Sequence, residues 1–139
     1  MKVFISIPMS GRADKDVSIE IEQIKKIFMD YISNTNPEET VEFVDNLDND
    51  VDPSRCVDLV NERLLYLGEA IRKMAFCDAA IFAPRYHKAN GCEIEHEIVK
   101  TYGLTFYNLQ TDYKTKYRIA KHKYINGHLQ SEPKWIKYL

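Results

Sequence analysis

The chain has 139 residues, of which 45% are hydrophobic and 29% charged, and its net charge is −2. These values are typical of one soluble globular domain whose single core buries roughly two-thirds of the unfolded surface. No stretch approaches the roughly 20 apolar residues that a membrane span needs, so we expect no membrane association.

The cysteines and the N-terminus indicate a reducing compartment. Cys56, Cys77 and Cys92 are widely spaced, with neither a CxxC motif nor a histidine at metal-ligand spacing. This pattern favours free thiols over a disulfide framework or a zinc site. A hydrophobic strand follows Met1 and Lys2 directly, so no signal peptide is visible. We therefore expect a cytoplasmic protein that holds no metal or cofactor.

Charge is distributed unevenly along the chain. Residues 110–139 carry seven Lys/Arg against two acids, whereas residues 1–109 carry twelve against nineteen. A basic tail on an acidic body could pair with a neighbouring subunit or attract an anionic ligand. The sequence contains no motif that reads a nucleic-acid groove, so a solvated basic face is favoured over a nucleic-acid site.

The first strand is predicted over residues 2–7, and a turn with the sequence PMSGR follows it. In α/β proteins the loop after the first strand exposes backbone N–H groups to anions, and Arg12 could add a bidentate phosphate contact. The alternative is an ordinary connection between a strand and a helix. A dinucleotide-binding fingerprint is excluded because GxGxxG is absent.

Strand and helix patterns then alternate along the chain. Helices are predicted at residues 14–33, at 53–76 and from Cys92 or Glu93 to Gly103, with strands at 40–44, 79–83 and 104–109. This order implies a parallel sheet with helices on both faces. The acidic stretch 45–52 is interpreted as a solvated loop, because it lacks the Gly and terminal Glu of a calcium-binding EF-hand.

The hydrophobic periodicity also predicts the core and the tail. The predicted core consists of Val3, Ile5, Ile7, Ile24, Phe28, Val44, Leu64, Ile71, Ile81, Ile94 and Ile98. In the tail, Tyr113, Tyr117, Ala120 and Tyr124 recur at helical spacing among lysines, which predicts a short helix.

The third helix carries the residue that concerns function most. Ile94, Ile98 and Tyr102 are spaced four apart and are predicted to share its buried stripe. Glu95 lies about 100° around the helix from Ile94, at the carboxyl edge of the sheet, where open α/β sheets bind their ligands. On spacing alone Glu95 is either a solvated acid that suits the helix dipole or a reactive group.

Two motifs carry a family resemblance. One is the helix start GCEIEH (residues 91–96), which follows a strand that opens with Asp78, and the other is the first strand with its loop, VFISIPMSG (residues 3–11). Both resemble the nucleoside 2-deoxyribosyltransferase family. They are most similar to a small branch with an I-P-M-[ST]-G loop and a G-C-x-x-E-H helix start, and the resemblance covers residues 2–109 in order of elements. It implies a flavodoxin-like or Rossmann-like three-layer sandwich with a mostly parallel sheet of four to five strands. The single domain would span residues 1–139, with 110–139 its least certain segment.

The resemblance also implies an activity and a site. In the family the glutamate four residues after the loop glycine is the nucleophile that cleaves or exchanges an N-glycosidic bond, and it maps onto Glu95. Tyr86 and His87, on the preceding loop, would hold this carboxylate or protonate the departing base. The residues expected to bind the sugar or phosphate of a nucleoside or nucleoside 5′-monophosphate are Ser6, Pro8, Met9, Ser10, Gly11, Arg12, Asn90 and Gly91.

The sequence departs from the family pattern in ways that keep alternatives open. Ala89 stands where members have Asp or Ser, and Glu69 is the nearest candidate for an acid that reaches the site from the preceding helix. A catalytically degenerate nucleotide-binding protein is therefore the alternative to an enzyme. A flavodoxin-like electron carrier or a phospho-receiver also suits the architecture. The sequence lacks the Ser/Thr-Gly phosphate loop of the first and the acidic pair after the first strand of the second.

The resemblance further implies a homo-oligomer, because family members complete their sites with a neighbour's C-terminal segment. The candidate contacts are aromatic residues of the tail, a class enriched in interface cores. They are Tyr113, Tyr117, Tyr124 and Trp135.

Overall fold

The protein, described by a computed structural model over residues 1–47 and 61–139, is built on one sheet. No helix in these two ranges is long and apolar enough to cross a membrane. The strands are β1 (Lys2–Ser6), β2 (Glu42–Val44), β3 (Ala79–Phe82), β4 (Thr105–Thr111), β5 (Lys116–Ile125), β6 (His128–Ser131) and β7 (Trp135–Tyr138). The helices are α1 (Asp14–Thr35), α2 (Glu62–Met74) and α3 (Asn90–Tyr102).

The sheet has a parallel half and an antiparallel half. Its order is β2-β1-β3-β4-β5-β6, and β7 pairs with β5 as well. The first four strands run parallel, with Ile5 opposite Ile81 and Ile81 opposite Tyr107. From β5 onward every pairing is antiparallel. The predicted α/β architecture is therefore confirmed, and the sheet is larger and more mixed than four to five mostly parallel strands.

Helices cover both faces of the sheet and make a three-layer sandwich. On one face α1 buries Ile24 and Phe28 against strand residues such as Ile5 and Ile81. On the other face α2 and α3 pack on three phenylalanines of the strands, which are Phe4, Phe82 and Phe106. Apolar side chains alternate between these two clusters along β1 and β3, as they must in a strand covered on both sides.

The predicted buried stripe of α3 is wrong. Ile94 is 45% exposed and Tyr102 is 83% exposed, while Ile98 is only half-buried. The helix instead buries four residues spaced by three, one and three positions: Cys92, Glu95, His96 and Val99. The hydrophobic pattern pointed to the more apolar of two neighbouring faces, whereas the helix packs with the face that contains two polar side chains.

The prediction for α2 is also partly wrong. Leu64 is 64% exposed and Ile71 lies on the surface, whereas Ala70 and Met74 face the core. Ala70 and Met74 are both buried in the cluster that holds the strand phenylalanines of this face. Val44 at the edge of the sheet is half-buried. The remaining predicted core residues are buried, and the predicted segments 48–52 and 53–60 lie outside the described residues.

The tail is a β-hairpin and not the predicted helix. Residues 116–125 form β5, and Asn126 and Gly127 turn the chain back with φ values of 53° and 79°. Two consecutive positive φ values are the signature of a type I′ turn, for which Asn-Gly is the preferred sequence. Tyr117 is buried in β5, whereas Tyr113 precedes the strand at φ 61° and Tyr124, seven residues after Tyr117, lies on the opposite face of the strand.

Three of the four tail aromatics predicted to contact a neighbouring subunit pack within the chain, where Tyr117 is buried and Tyr113 and Trp135 are half-buried; Tyr124 is also half-buried. The Tyr117 hydroxyl donates a hydrogen bond to Asp30 of α1, and Lys137 lies 3.1 Å from the same carboxylate. Trp135 contacts Tyr117 with ring centroids 5.3 Å apart, and the Tyr113 hydroxyl donates to Glu20 at 2.5 Å. The hairpin is thereby held against α1.

Candidate active site around Glu95

Glu95 and Ser6 form a buried hydrogen bond at the carboxyl edge of the parallel strands. Ser6 ends β1, and its Oγ donates to Glu95 Oε2 at 2.5 Å. Ser6 is 1% exposed and Glu95 is 5% exposed. The glutamate that the sequence singled out is therefore inside the protein, and the serine expected to contact the substrate contacts the carboxyl group instead.

The local sequence of α3 explains why Glu95 points inward. The helix starts at Asn90, where the backbone N–H of Glu93 donates to Ala89 O at 2.9 Å, and ends at Tyr102, which is followed by Gly103 at φ 76°. Val99 packs among the strand phenylalanines, so the face that carries it is turned to the sheet. Glu95 lies four residues before Val99 on that face and must be buried with it. Gly103 caps the helix in the left-handed conformation that glycine adopts most readily.

Burial changes the acidity of this group. Loss of hydration raises the pKa of Glu95 to about 7, and the hydrogen bond from Ser6 opposes the rise. A carboxyl group with this pKa is present in both protonation states near neutral pH. Such a group can act as an acid, as a base or, when ionised, as a nucleophile.

Cys92 completes the buried cluster on the same helix face. Burial raises the pKa of its thiol to about 12, a hydrogen bond with Ser6 opposes this, and the nearby Glu95 carboxylate adds to it. The Ser6 hydroxyl is therefore shared between a neutral thiol and an acid. A thiol held in its protonated form is unreactive, which leaves Glu95 as the reactive group of the three.

The loop after β1 lies at the same edge. Gly11 has φ 74°, and the Arg12 guanidinium lies 2.8 Å from Pro8 O and 2.7 Å from Glu20 Oε1. Arg12 is thus already paired with a carboxylate, which weakens its predicted role as a phosphate ligand. Ser10 and Gly11 are exposed, while Met9 packs against the core of the α1 face.

The loop after β3 places the other two predicted catalytic residues. It enters with Arg85 at φ 62° and forms one turn of 3-10 helix over Tyr86–Lys88. The Tyr86 ring stacks on His96, with centroids 4.4 Å apart and planes at 16°. Burial raises the pKa of Tyr86, so its hydroxyl keeps its proton near neutral pH. His87 is exposed.

The opposite side of α3 carries a separate surface depression of about 530 Å³. Its lining includes Asn90, Glu93, Ile94 and Tyr102, and Glu95 does not contribute to it. Asn90 is therefore turned toward this depression, whereas Gly91 is exposed at the first turn of α3. These two predicted binding residues lie on the helix that carries Glu95 but do not share its buried face.

The preceding helix gives Glu69 a different partner from the one expected. Both oxygens of its carboxylate accept hydrogen bonds from Arg72, at 2.6 and 3.0 Å. This interaction lowers the pKa of Glu69, in keeping with an ionised, paired acid. Among residues 1–47 and 61–139, no group of three His, Cys, Asp or Glu side chains is arranged to hold a metal ion.

Sequence reasoning missed the polar residues next to Glu95. His96 is buried and bonded to Asn108 of β4, which in turn lies next to His122 of β5. The available signal was the 3-1-3 spacing of Cys92, Glu95, His96 and Val99, which marks one helix face. Glutamate and histidine score as outward-facing residues, so this face was passed over.

Comparison with protein-family models, with curated proteins and with solved structures finds no match. The fold and the site by themselves define an α/β protein with a buried, hydrogen-bonded carboxyl group at the carboxyl edge of its parallel strands.

Proposed function

We propose that the protein is a nucleoside deoxyribosyltransferase-like enzyme that cleaves or exchanges the N-glycosidic bond of a nucleoside or nucleoside 5′-monophosphate, with Glu95 as nucleophile. The observation that carries this proposal is the buried Ser6–Glu95 pair at the carboxyl edge of β1. A carboxylate with little hydration and one fixed hydrogen bond is suited to stabilising the positive charge that develops at C1′. This edge is also where open α/β sheets bind ligands.

The chemical step follows the logic of retaining glycosidases. One oxygen of the ionised Glu95 bonds to C1′ while the bond from C1′ to the base nitrogen breaks, and the bonding electrons leave with the base. The departing nitrogen takes up a proton, for which the Tyr86 hydroxyl and the His87 imidazole are the candidate donors. Water or the nitrogen of a second base then attacks C1′, returns a proton to the group that protonated the departing base, and frees the Glu95 carboxylate. Water completes a hydrolase, and a second base completes a transferase.

The Ser6 hydroxyl has a defined part in this step. It donates to Glu95 Oε2, so the other carboxylate oxygen, Oε1, is the one free to bond to C1′. The hydrogen bond also favours the ionised form and opposes the rise in pKa that burial causes. Ser6 thus orients the nucleophile and keeps part of it charged near neutral pH.

A second candidate function is nucleotide binding without cleavage. Two observations favour it. Ala89 removes a polar group that the resembled family uses next to the sugar, and Glu95 is only 5% exposed. A carboxyl group that stays buried and protonated could contribute a hydrogen bond to a ligand without attacking it.

The deciding experiment is incubation of the protein with nucleosides and nucleoside 5′-monophosphates, followed by chromatography for free base. We expect base release from at least one of them, and Glu95→Gln should reduce it by several powers of ten because the covalent catalyst is lost. Glu93→Gln and Glu97→Gln are the matched controls, since both side chains are exposed on the same helix. Their activity should stay near that of the parent.

Each alternative outcome has a distinct meaning. If Glu95→Gln cleaves as fast as the parent, the nucleophile is another residue. Equilibrium binding of the same compounds by a parent protein that releases no base would support the binding-protein alternative.

We also propose that the chain forms a homo-oligomer, in which exposed apolar side chains of α2 and α3 add to the half-buried tail aromatics Tyr113, Tyr124 and Trp135 as candidate contacts. Both helices of one face expose apolar side chains, among them Leu64 and Phe76 at α2 and Tyr102 at α3. The acidic body and basic hairpin of two copies are complementary in charge. Light scattering of the full chain should give a mass above 16.3 kDa, and a monomer at high micromolar concentration would contradict this.

A further inference from the structure

A chain of polar side chains connects the C-terminal hairpin to α3. His96 Nε2 lies 3.2 Å from Asn108 Oδ1, and Asn108 Nδ2 lies 3.5 Å from His122 Nε2. His122 Nδ1 is 2.7 Å from Ser131 Oγ. This series of hydrogen-bonded side chains therefore starts one residue after Glu95, crosses β4 and β5, and ends on β6.

Aromatic rings pack against the two histidines of this series. His96 contacts Phe82 and Phe106 edge-on and Tyr86 face-on, and His122 stacks on Phe106 with centroids 4.8 Å apart. Burial lowers the pKa of both histidines below their ordinary value. Both rings are therefore neutral near pH 7, and each carries its one proton on a single nitrogen.

The amide of Asn108 fixes which nitrogen carries the proton in each ring. Its oxygen can only accept, so His96 must hold its proton on Nε2. Its nitrogen can only donate, so His122 Nε2 must be unprotonated and the His122 proton must be on Nδ1, where it is donated to Ser131. All donors in the chain then point the same way, from α3 toward the hairpin.

Protonation affects the two histidines differently. A proton added to His96 enters at Nδ1 and leaves the bond from Nε2 to Asn108 in place. A proton added to His122 enters at Nε2, where it faces the N–H of Asn108, and two donors cannot bond to each other. The conflict is relieved when the amide turns over, which presents Oδ1 to His122. His96 Nε2 then faces the amide N–H and releases its proton to solvent, while Nδ1 takes one up from solvent.

We propose that the four residues form a proton-driven tautomer switch, in which protonation of His122 turns the Asn108 amide and moves the His96 proton from Nε2 to Nδ1. The net change is the uptake of one proton at His122. The switch would regulate the site because His96 is the platform on which Tyr86 stacks and adjoins Glu95 in sequence. That consequence rests on the proposed function, whereas the tautomer change itself does not.

The charged groups around the two histidines are consistent with His122 as the residue that titrates. Lys100 and Glu97, from α3, act on His96 with opposite sign, and His122 is the group of β5 that faces it. Lys134, which follows β6, opposes protonation of His122. Ser131 is exposed, so solvent protons reach the His122 end of the chain.

The test is ¹⁵N NMR of the full, ligand-free chain across the pH range in which His122 titrates. The nitrogen shifts report which ring nitrogen carries the proton in each histidine. We expect His96 to hold its proton on Nε2 at high pH and on Nδ1 once His122 is protonated. His122→Gln removes the titrating group and keeps an acceptor for Asn108, so in this variant His96 should keep its Nε2 proton over the same range.

His128→Gln is the matched control, because His128 is an exposed histidine on β6 and the His96 switch should persist without it. A parent protein in which the His96 tautomer does not change as His122 titrates would overturn the proposal. The same is true if His122→Gln shows the parent's change. Because no substrate is needed, these outcomes do not depend on whether the protein cleaves nucleosides.

Discussion

Ser6 Oγ donates a 2.5 Å hydrogen bond to Glu95 Oε2, and the two residues are 89 positions apart in the sequence. The bond joins the end of the first strand to the third helix, and both groups are almost fully removed from solvent. An acid in this setting affects stability and chemistry at once. Its protonation state depends on the fold, and the stability of the fold depends on its protonation state.

The first prediction concerns the pH dependence of stability. The pKa of Glu95 is about 7 in the folded chain and has its ordinary value near 4.5 in the unfolded chain. Between these values the folded state holds a proton that the unfolded state has released, so the free energy of unfolding falls as pH rises. The shift corresponds to roughly 3 kcal/mol. Between pH 4.5 and pH 8, Glu95→Gln should therefore lose about 3 kcal/mol less stability than the parent in urea unfolding.

The matched control for that measurement is Glu97→Gln, whose carboxylate is exposed and paired with Lys100 at 3.4 Å. Its stability should follow that of the parent across the range, because exposed pairs contribute little. Parallel curves for the parent and Glu95→Gln would show that Glu95 titrates normally in the folded protein.

The second prediction concerns Ser6. Its hydroxyl lowers the pKa of Glu95, so Ser6→Ala should raise that pKa above its parent value. A hydrogen bond to a charged group contributes roughly 1.5–3 kcal/mol, which corresponds to a shift on the order of one pH unit or more. The titration of the Glu95 carboxyl carbon, followed by ¹³C NMR, should move to higher pH, and the pH midpoint of base release should move with it. An unchanged carboxyl titration would mean that Ser6 does not act on Glu95.

The third prediction compares the two faces of α3. Val99 is buried among the strand phenylalanines, so Val99→Ala should leave a cavity and lower the free energy of unfolding by about 2 kcal/mol. Ile94→Ala removes a larger side chain from the exposed face and should change stability by less than about 0.5–1 kcal/mol in the monomer. Chemical denaturation of both variants decides the rotation of the helix. A larger loss of stability from Ile94→Ala than from Val99→Ala would mean that the face with Ile94, which the hydrophobic pattern suggested, is the buried one.

The fourth prediction concerns the hairpin turn. Gly127 has φ 79°, a conformation that costs a residue with a side chain roughly 1–2 kcal/mol, so Gly127→Ala should destabilise the protein by about that amount. Gly68 is the matched control, because it lies within α2 and a methyl group added there meets no atom of the described residues within 4 Å. Gly68→Ala should stabilise the protein by up to about 1 kcal/mol. Thermal unfolding of both variants shows whether the two substitutions have opposite signs.

The fold was predictable from the sequence where the strands are covered on both faces. Short apolar runs such as residues 3–5 and 79–83, placed between helical patterns, favour buried strands, and the order of elements up to Gly103 is correct among the described residues. The position of Glu95 at the carboxyl edge of the sheet followed from that order. Its hydrogen bond to Ser6 did not, because no local pattern specifies a contact between residues so far apart in the chain.

Two errors arise where helical spacing was the guide to structure. Helical periodicity locates a buried face from apolar residues alone, and α3 buries Glu95 and His96 because each has a hydrogen-bond partner on the sheet. In the tail, Tyr113, Tyr117, Ala120 and Tyr124 follow one another at intervals of four, three and four, which suits a helix, but the strand that forms turns Tyr117 and Tyr124 to opposite faces. Asn126 and Gly127 were the decisive signal there, since this pair favours the type I′ turn of a hairpin.

The two halves of the sheet differ in how they can assemble during folding. In β5 and β6, Ile125 pairs with His128 across a two-residue turn, whereas Ile5 of β1 pairs with Ile81. Hairpins form in microseconds, while parallel strands must first close long loops. We therefore expect the hairpin to be protected early and β1 late in pulse-labelling hydrogen exchange, and the reverse order would contradict this. Glu95 would accordingly keep the acidity of a hydrated carboxyl group through most of the folding reaction and lose it only when β1 joins the sheet.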